Sequence, residues 1–147
     1  MKKAEGRKLV APRLTPAAVD YYTSNFDSLN QGAEYVLHAF PVMARRALAG
    51  LKGRFSSGEL SIMLDVMNGT ALTAIVAGDT LTANVEDAIA LDHLDEKWHV
   101  DKAEILKKMA SLTPFETACL EIWARGFWAG DHYEGKGALE KYVGGML

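Results

Sequence analysis

The sequence predicts an all-α protein, a multi-helix bundle preceded by a short extended segment at its N-terminus. Three observations carry that expectation. Helix-start signals recur along the chain, at Thr15-Pro16, Ser28 with Gln31, Ser56 with Glu59, Asp101 with Glu104 and Thr113-Pro114 with Glu116. A small polar side chain there accepts from first-turn N–H groups, and a following proline lacks only an N–H that has no helical partner. Between these starts, apolar residues return every three or four positions. Only residues 8–14 read as extended.

Taken in order, the punctuation predicts seven helices, over 16–25, 29–51, 57–68, 71–77, 85–93, 102–111 and 114–128. The second opens at Ser28, with Asn30 as a competing cap. It contains Pro41, so it either kinks there or restarts there. In the third, Leu60, Ile62, Met63, Leu64, Val66 and Met67 nearly encircle the axis, and residues 66–78 carry no charge. Such a helix is central to the core or part of a subunit interface. Asn68-Gly69 and Gly78 offer stops, because glycine accepts the left-handed conformation at a helix end. Asn84 is the expected cap of helix 85–93, with Asp87 in its first turn. In the last helix Phe115, Cys119, Ile122, Trp123 and Phe127 make an apolar stripe. The final stretch, GDHYEGKGALEKYVGGML, has five glycines in eighteen residues. It is expected to be loosely held or docked on a partner chain, with ALEKYV forming one amphipathic turn.

Length and composition bound the function. A chain of 147 residues, 49% hydrophobic and 24% charged, can bury a core as one medium domain or a small module with a larger one behind it. No run of about 18 apolar residues exists, so no membrane span is expected, and the positive N-terminus has no apolar stretch of signal-peptide length. A single cysteine, Cys119, forms no internal disulfide and fits a reducing cytoplasm. Charge is segregated. Residues 1–55 hold nine basic and four acidic side chains, net +5, and the remainder holds seven and fifteen, net −8. The chain divides on this basis into a basic front (1–55), an acidic helical body (56–130) and a glycine-rich tail (131–147). The front invites an anionic partner, or the two parts attract each other.

No catalytic, metal or cofactor signature stands out. LDHLDEKWHVD (91–101) concentrates His93, His99, Asp92, Asp95 and Glu96, but the histidines are six apart across a helix end and a solvated helix end followed by a loop is expected. Cys119 falls on an apolar stripe, where a thiol packs as a small hydrophobe. His132 beside Asp131 has no nucleophile, and EGKG lacks the spacing of a phosphate loop. Trp98 is expected to dock back on the body, Trp123 to belong to the last helix's stripe, and Trp128 to cover the core edge or contact another chain. Of Tyr21 and Tyr22, about 100° apart on a helix, one is expected in the core and one exposed. Arg45-Arg46 read as an exposed helix face.

The stretch KLVAPRLTPAAVDYYTSNFDSLNQGAEYVLHAF (Lys8 to Phe40) has the order strand, helix, short polar turn, longer helix. It resembles the ribbon-helix-helix family of DNA-binding proteins, the Arc and Met repressor type. The resemblance covers about 35 of the 147 residues. It implies a dimer whose paired strands enter the major groove, with Lys8 and Arg13 as ribbon residues and Asn30 and Gln31 at a helix N-terminus that holds phosphate. The pattern departs from the family at Pro12, which would face inward and cannot donate to a ladder, and Arg13 is then the one polar side chain on the outward face. Phosphate attraction by Arg7, Lys8 and Arg13 is the part that survives the departure. The sequence therefore leads to a small DNA-binding protein of bacterial or phage type, a candidate transcriptional regulator binding as a dimer. The alternative is an all-helical oligomeric assembly protein with no nucleic-acid role.

Overall fold

The structure is a computed structural model that describes residues 14–68, 80–129 and 132–147. Among these residues there are eight helices: α1 (Pro16–Asn25), α2 (Leu29–Leu51), α3 (Ser57–Met67), α4 (Thr80–Asp92), α5 (Leu94–Trp98), α6 (Lys102–Ala110), α7 (Pro114–Trp128) and α8 (Ala138–Gly144). The chain is all-α, as expected. No strand occurs among the described residues, so a ribbon finds no support there. Residues 8–13 of the expected extended segment, and the expected helix 71–77, lie outside the described residues.

The chain divides into two compact units, a front ending at Pro41 and a rear comprising Val42–Leu147. In the front, Thr15 caps α1 by accepting from Ala18 N–H at 3.3 Å, and Pro16 occupies the first helical position. The chain turns over Phe26–Ser28 and enters α2. There Gly32 lies under the rings of Tyr22 and Phe26, each 2.8 Å from where a Cβ would sit. A chain of ring contacts, Tyr21–Tyr22–Phe26–Tyr35, with centroids 5.8, 6.2 and 5.6 Å apart, links the two helices. Tyr21 is exposed as expected of one of the pair, but Tyr22 is only half-buried and does not enter a core.

α2 passes through Pro41 as one helix and does not restart. Pro41, which cannot donate to the helix ladder, is exposed.

The rear unit is built around α3, which packs against α4, α5, α7 and α8. Leu60, Ile62, Met63 and Leu64 are completely buried, and Glu59, Ser61 and Met67 nearly so. The side chains that nearly encircle this helix thus form the centre of the core, with Leu51, Phe55, Leu81, Val85, Ile105, Leu120, Phe127 and Val143 around them. Both capping boxes in this unit form as their spacing predicts, Ser56 with Glu59 on α3 and Thr113 with Glu116 on α7.

Four details differ from the sequence expectation. First, α4 begins at Thr80, which places Asn84 inside the helix. Leu81 and Val85 are fully buried and Ala88 and Ile89 nearly so, and burying Leu81 on that face requires the extra turn. Second, residues 94–98, expected as loop, form α5 between His93 and His99, both left-handed with φ of 51° and 53°. Trp98 holds this turn to α3, its Nε1 donating to Asp65 Oδ2 at 2.9 Å. Third, the buried face of α7 is rotated from the predicted stripe: Leu120, Glu121, Ala124 and Phe127 point inward, and Ile122 is exposed. Glu121 can face inward because Arg125, one turn on, donates to it at 3.2 Å. Fourth, the tail is docked on its own rear unit. Val143 and Met146 are buried, Met146 O accepts from Gly53 N–H at 3.0 Å, and Tyr142 donates to Trp123 O at 2.8 Å. ALEKYV does form a short helix, within α8.

Two substitutions test this packing. Leu60→Ala is expected to lower the unfolding free energy by about 2–5 kcal/mol in urea titration, the usual range for a filled core site. At Gly58 a Cβ would lie 2.5 Å from the Trp98 carbonyl oxygen and 2.8 Å from Val100 Cγ2. Alanine improves helix propensity by about 1 kcal/mol, but overpacking against backbone costs about 1–3 kcal/mol. Gly58→Ala is therefore expected to be net destabilising, and a rise in melting temperature would contradict that contact.

Candidate nucleic-acid interface

Of the five residues that the sequence analysis assigns to DNA, Arg7, Lys8 and Arg13 lie outside the described residues. Asn30 and Gln31 are in the first turn of α2. Ser28 wins the competition to cap this helix. Its Oγ accepts from Gln31 N–H at 3.2 Å, while Gln31 Oε1 accepts from Asp27 N–H at 3.0 Å. That reciprocal pair occupies the Gln31 side chain, so Gln31 shapes the helix start and leaves the exposed Asn30 as the side chain facing solvent there. No acidic residue stands in the first turn of α2, so the positive end of its dipole is not neutralised from within. Asp27 lies one position before the cap and opposes an incoming phosphate.

Charge in the front unit is sharply placed. Between Leu14 and Pro41 there are three carboxylates, Asp20, Asp27 and Glu34, and no Lys or Arg. All five basic residues of the first 41 fall within residues 1–13. An anionic partner of this unit would therefore be held by the N-terminal segment, with α2 adding only its helix end. Arg45 and Arg46, further along α2 and in the rear unit, are exposed as their position predicts.

The front buries little of its own apolar surface. From Leu14 to Pro41 Gly32 alone is buried, while Tyr21, Tyr35 and Leu37 are 61%, 63% and 70% exposed. Tyr35 and Leu37 are two positions apart, about 200° around the helix, so α2 shows large apolar side chains on opposite sides.

The other constellations resolve into packing and capping. No group of three or more His, Cys, Asp or Glu residues that could hold a metal ion occurs among the described residues. Cys119 is buried, and its thiol pKa is pushed up by burial and by the nearby Glu116 charge. Glu116 is held below the usual carboxylate range because it accepts from Thr113 N–H at 2.7 Å and from the Thr113 hydroxyl at 2.9 Å, with Arg54 adding positive charge. Burial raises the Tyr142 phenol. Trp128 donates to Leu64 O at 2.7 Å and covers the core edge, and Trp123 stacks on Tyr142. No described helix is long and apolar enough to cross a membrane.

Comparison of the chain with protein-family models, with curated proteins and with solved structures gives no match. The ribbon-helix-helix resemblance therefore stands on the residues alone.

Sequence reasoning missed the buried carboxylate of Glu59, beyond its role in the cap. Its two oxygens each accept from Lys108 at 2.9 Å, and Lys108 also reaches Glu104 at 3.0 Å. Burial pulls the Lys108 pKa down, but the hydrogen bonds and charges of Glu59 and Glu104 outweigh it and leave the group above its ordinary value. A raised ammonium pKa stabilises the fold fully below the unfolded-chain value, near 10.4, and that contribution disappears as pH rises through the folded value. Lys108→Met is expected to cost roughly 2 kcal/mol at pH 7, the scale of charged hydrogen bonds. The gap to wild type should close in urea titrations carried above about pH 10.5, where the unfolded lysine deprotonates first.

Proposed function

We propose that the protein is a small DNA-binding protein, acting as a dimer through the basic segment that precedes α1. The observation that carries this reading is the pairing of two properties in the front. Residues 1–13 concentrate five basic side chains against one acidic, and the stretch that follows, from Leu14 to Pro41, buries only Gly32. A two-helix unit without a core gains one when a second copy covers one of its two exposed apolar faces, that of Tyr35 or that of Leu37, and dimerisation doubles the basic charge presented to a duplex. Arg7, Lys8 and Arg13 would contact phosphates, and the N-terminus of α2 at Asn30, already capped by Ser28 and Gln31, would add only its helix dipole. A regulator's role suits a rear unit that carries its own core and is available for other contacts.

A second reading is a helical assembly protein with no nucleic-acid role. The three carboxylates of α1, the turn and α2 favour it, because they repel phosphate. Both readings involve self-association, so DNA binding and its salt dependence separate them.

The test is a fluorescence titration of random-sequence duplex DNA at about 50 and 200 mM salt, using wild type and Arg7→Ala/Lys8→Ala/Arg13→Ala. Three phosphate contacts per chain, six per dimer, predict a loss of about a thousandfold in affinity between the two salts. The triple variant should bind weakly and with a much shallower salt slope. Absence of binding by wild type at the lower salt would remove the DNA reading and leave the assembly reading in place.

A further inference from the structure

A groove runs along the rear unit where the end of α3 meets α4 and α5. Val66, Ala88, Leu91 and Leu94 give it an apolar lining, and Asp87 and Asp92 stand along it. Leu91 is 75% exposed, a large aliphatic side chain held out in solvent between two carboxylates. Asp87 and Asp92 make no ion pair among the described residues, whereas Asp65, at the α3 side, is already held by Lys97 at 2.6 Å. The sequence around the groove is one-sided. From Thr80 to Glu96 there are five acidic residues and no Lys or Arg. A surface that combines an exposed apolar ridge with uncompensated negative charge suits a short segment of opposite composition, apolar in part and basic.

The chain carries such a segment. Residues 1–13 hold Lys2, Lys3, Arg7, Lys8 and Arg13 with a single Glu5, and Leu9-Val10-Ala11 lies between the basic residues. Fully extended, they span roughly 43 Å, against about 12 Å for the eight-residue rise from Asn84 to Asp92 on α4. Length therefore allows the aliphatic residues to lie on Leu91 while basic residues on either side reach Asp87 and Asp92. We propose that the groove docks residues 1–13 of a second copy of the chain. The docking does not depend on the DNA reading. If both hold, groove and DNA compete for one basic segment, and the acidic rear unit limits DNA binding.

The experiment uses a fluorescently labelled synthetic peptide of residues 1–13. It is titrated with the full-length Arg7→Ala/Lys8→Ala/Arg13→Ala chain, whose own segment competes weakly, and read by anisotropy at about 50 mM salt. Saturable binding is expected, weakened at least about tenfold by adding Asp87→Asn/Asp92→Asn and several-fold by adding Leu91→Ser, consistent with loss of close charge pairs and an apolar anchor. Circular dichroism confirms that these exposed substitutions leave the fold intact. No saturable binding, undiminished binding to the asparagine variant, or equal binding of a scrambled peptide of the same composition would each overturn the proposal. With Tyr35→Ser/Leu37→Ser added to remove the front contact of the proposed dimer, Asp87→Asn/Asp92→Asn should also lower the weight-average mass in sedimentation, and an unchanged mass would overturn docking between copies. DNA is absent throughout, so failure of the DNA reading shows only in its own titration.

Discussion

The rear unit depends on the placement of one carboxylate. Glu59 is almost completely buried, yet it accepts from Ser56 N–H at 2.6 Å and from Lys108 at 2.9 Å. The first contact closes the N-terminus of α3, where four backbone N–H groups have no helical acceptor. The second binds α6 to the same point and neutralises a charge that burial would otherwise penalise heavily. With that end fixed, α3 can be apolar on nearly every side, and α4, α7 and α8 close over it. A hydrophobic residue in place of Glu59 would pack, but it would leave the helix start and Lys108 without acceptors.

The two units solve the problem of apolar surface differently. The rear surrounds one helix completely and finishes the job with its own tail, through Val143 and Met146. The front has two helices, which is too few for either to be enclosed. Its internal order comes from a close approach: the absent side chain of Gly32 lets Tyr22 and Phe26 lie directly on α2. What remains outside, Tyr21, Tyr35 and Leu37, is the surface from which its association is inferred.

Much of this architecture was legible in the sequence because capping is local. The starts of α1, α2 and α7 follow from Thr15-Pro16, Ser28 with Gln31 and Thr113-Pro114, whose partners lie within three residues. The misreadings come where distant residues decide. Asn84 is a good cap in isolation, but burial of Leu81 carries α4 past it. The stripe on α7 turns because Arg125 lets Glu121 point inward, and α5 forms because Asp65, some thirty residues earlier in the chain, accepts from Trp98. His93 and His99 gave no local sign of α5 either, since a left-handed conformation is uncommon at residues other than glycine. The candidate interface was legible only as charge and order, since Lys8 and Arg13 precede α1 and Ser28 starts α2. The groove at Leu91 could have been suspected from the absence of Lys and Arg between Thr80 and Glu96, a pattern easily mistaken for a solvated helix face.

The buried thiol of Cys119 has a practical consequence. It is the only thiol in the chain, it is closed off from solvent, and burial raises its pKa, so the reactive thiolate is scarce while the site stays closed. Labelling of the native protein by a thiol reagent therefore waits on an opening of the rear unit around α7. The rate of labelling is a clock for that opening, readable at equilibrium and without denaturant. Because the front contains no cysteine, the clock keeps time for the rear unit alone.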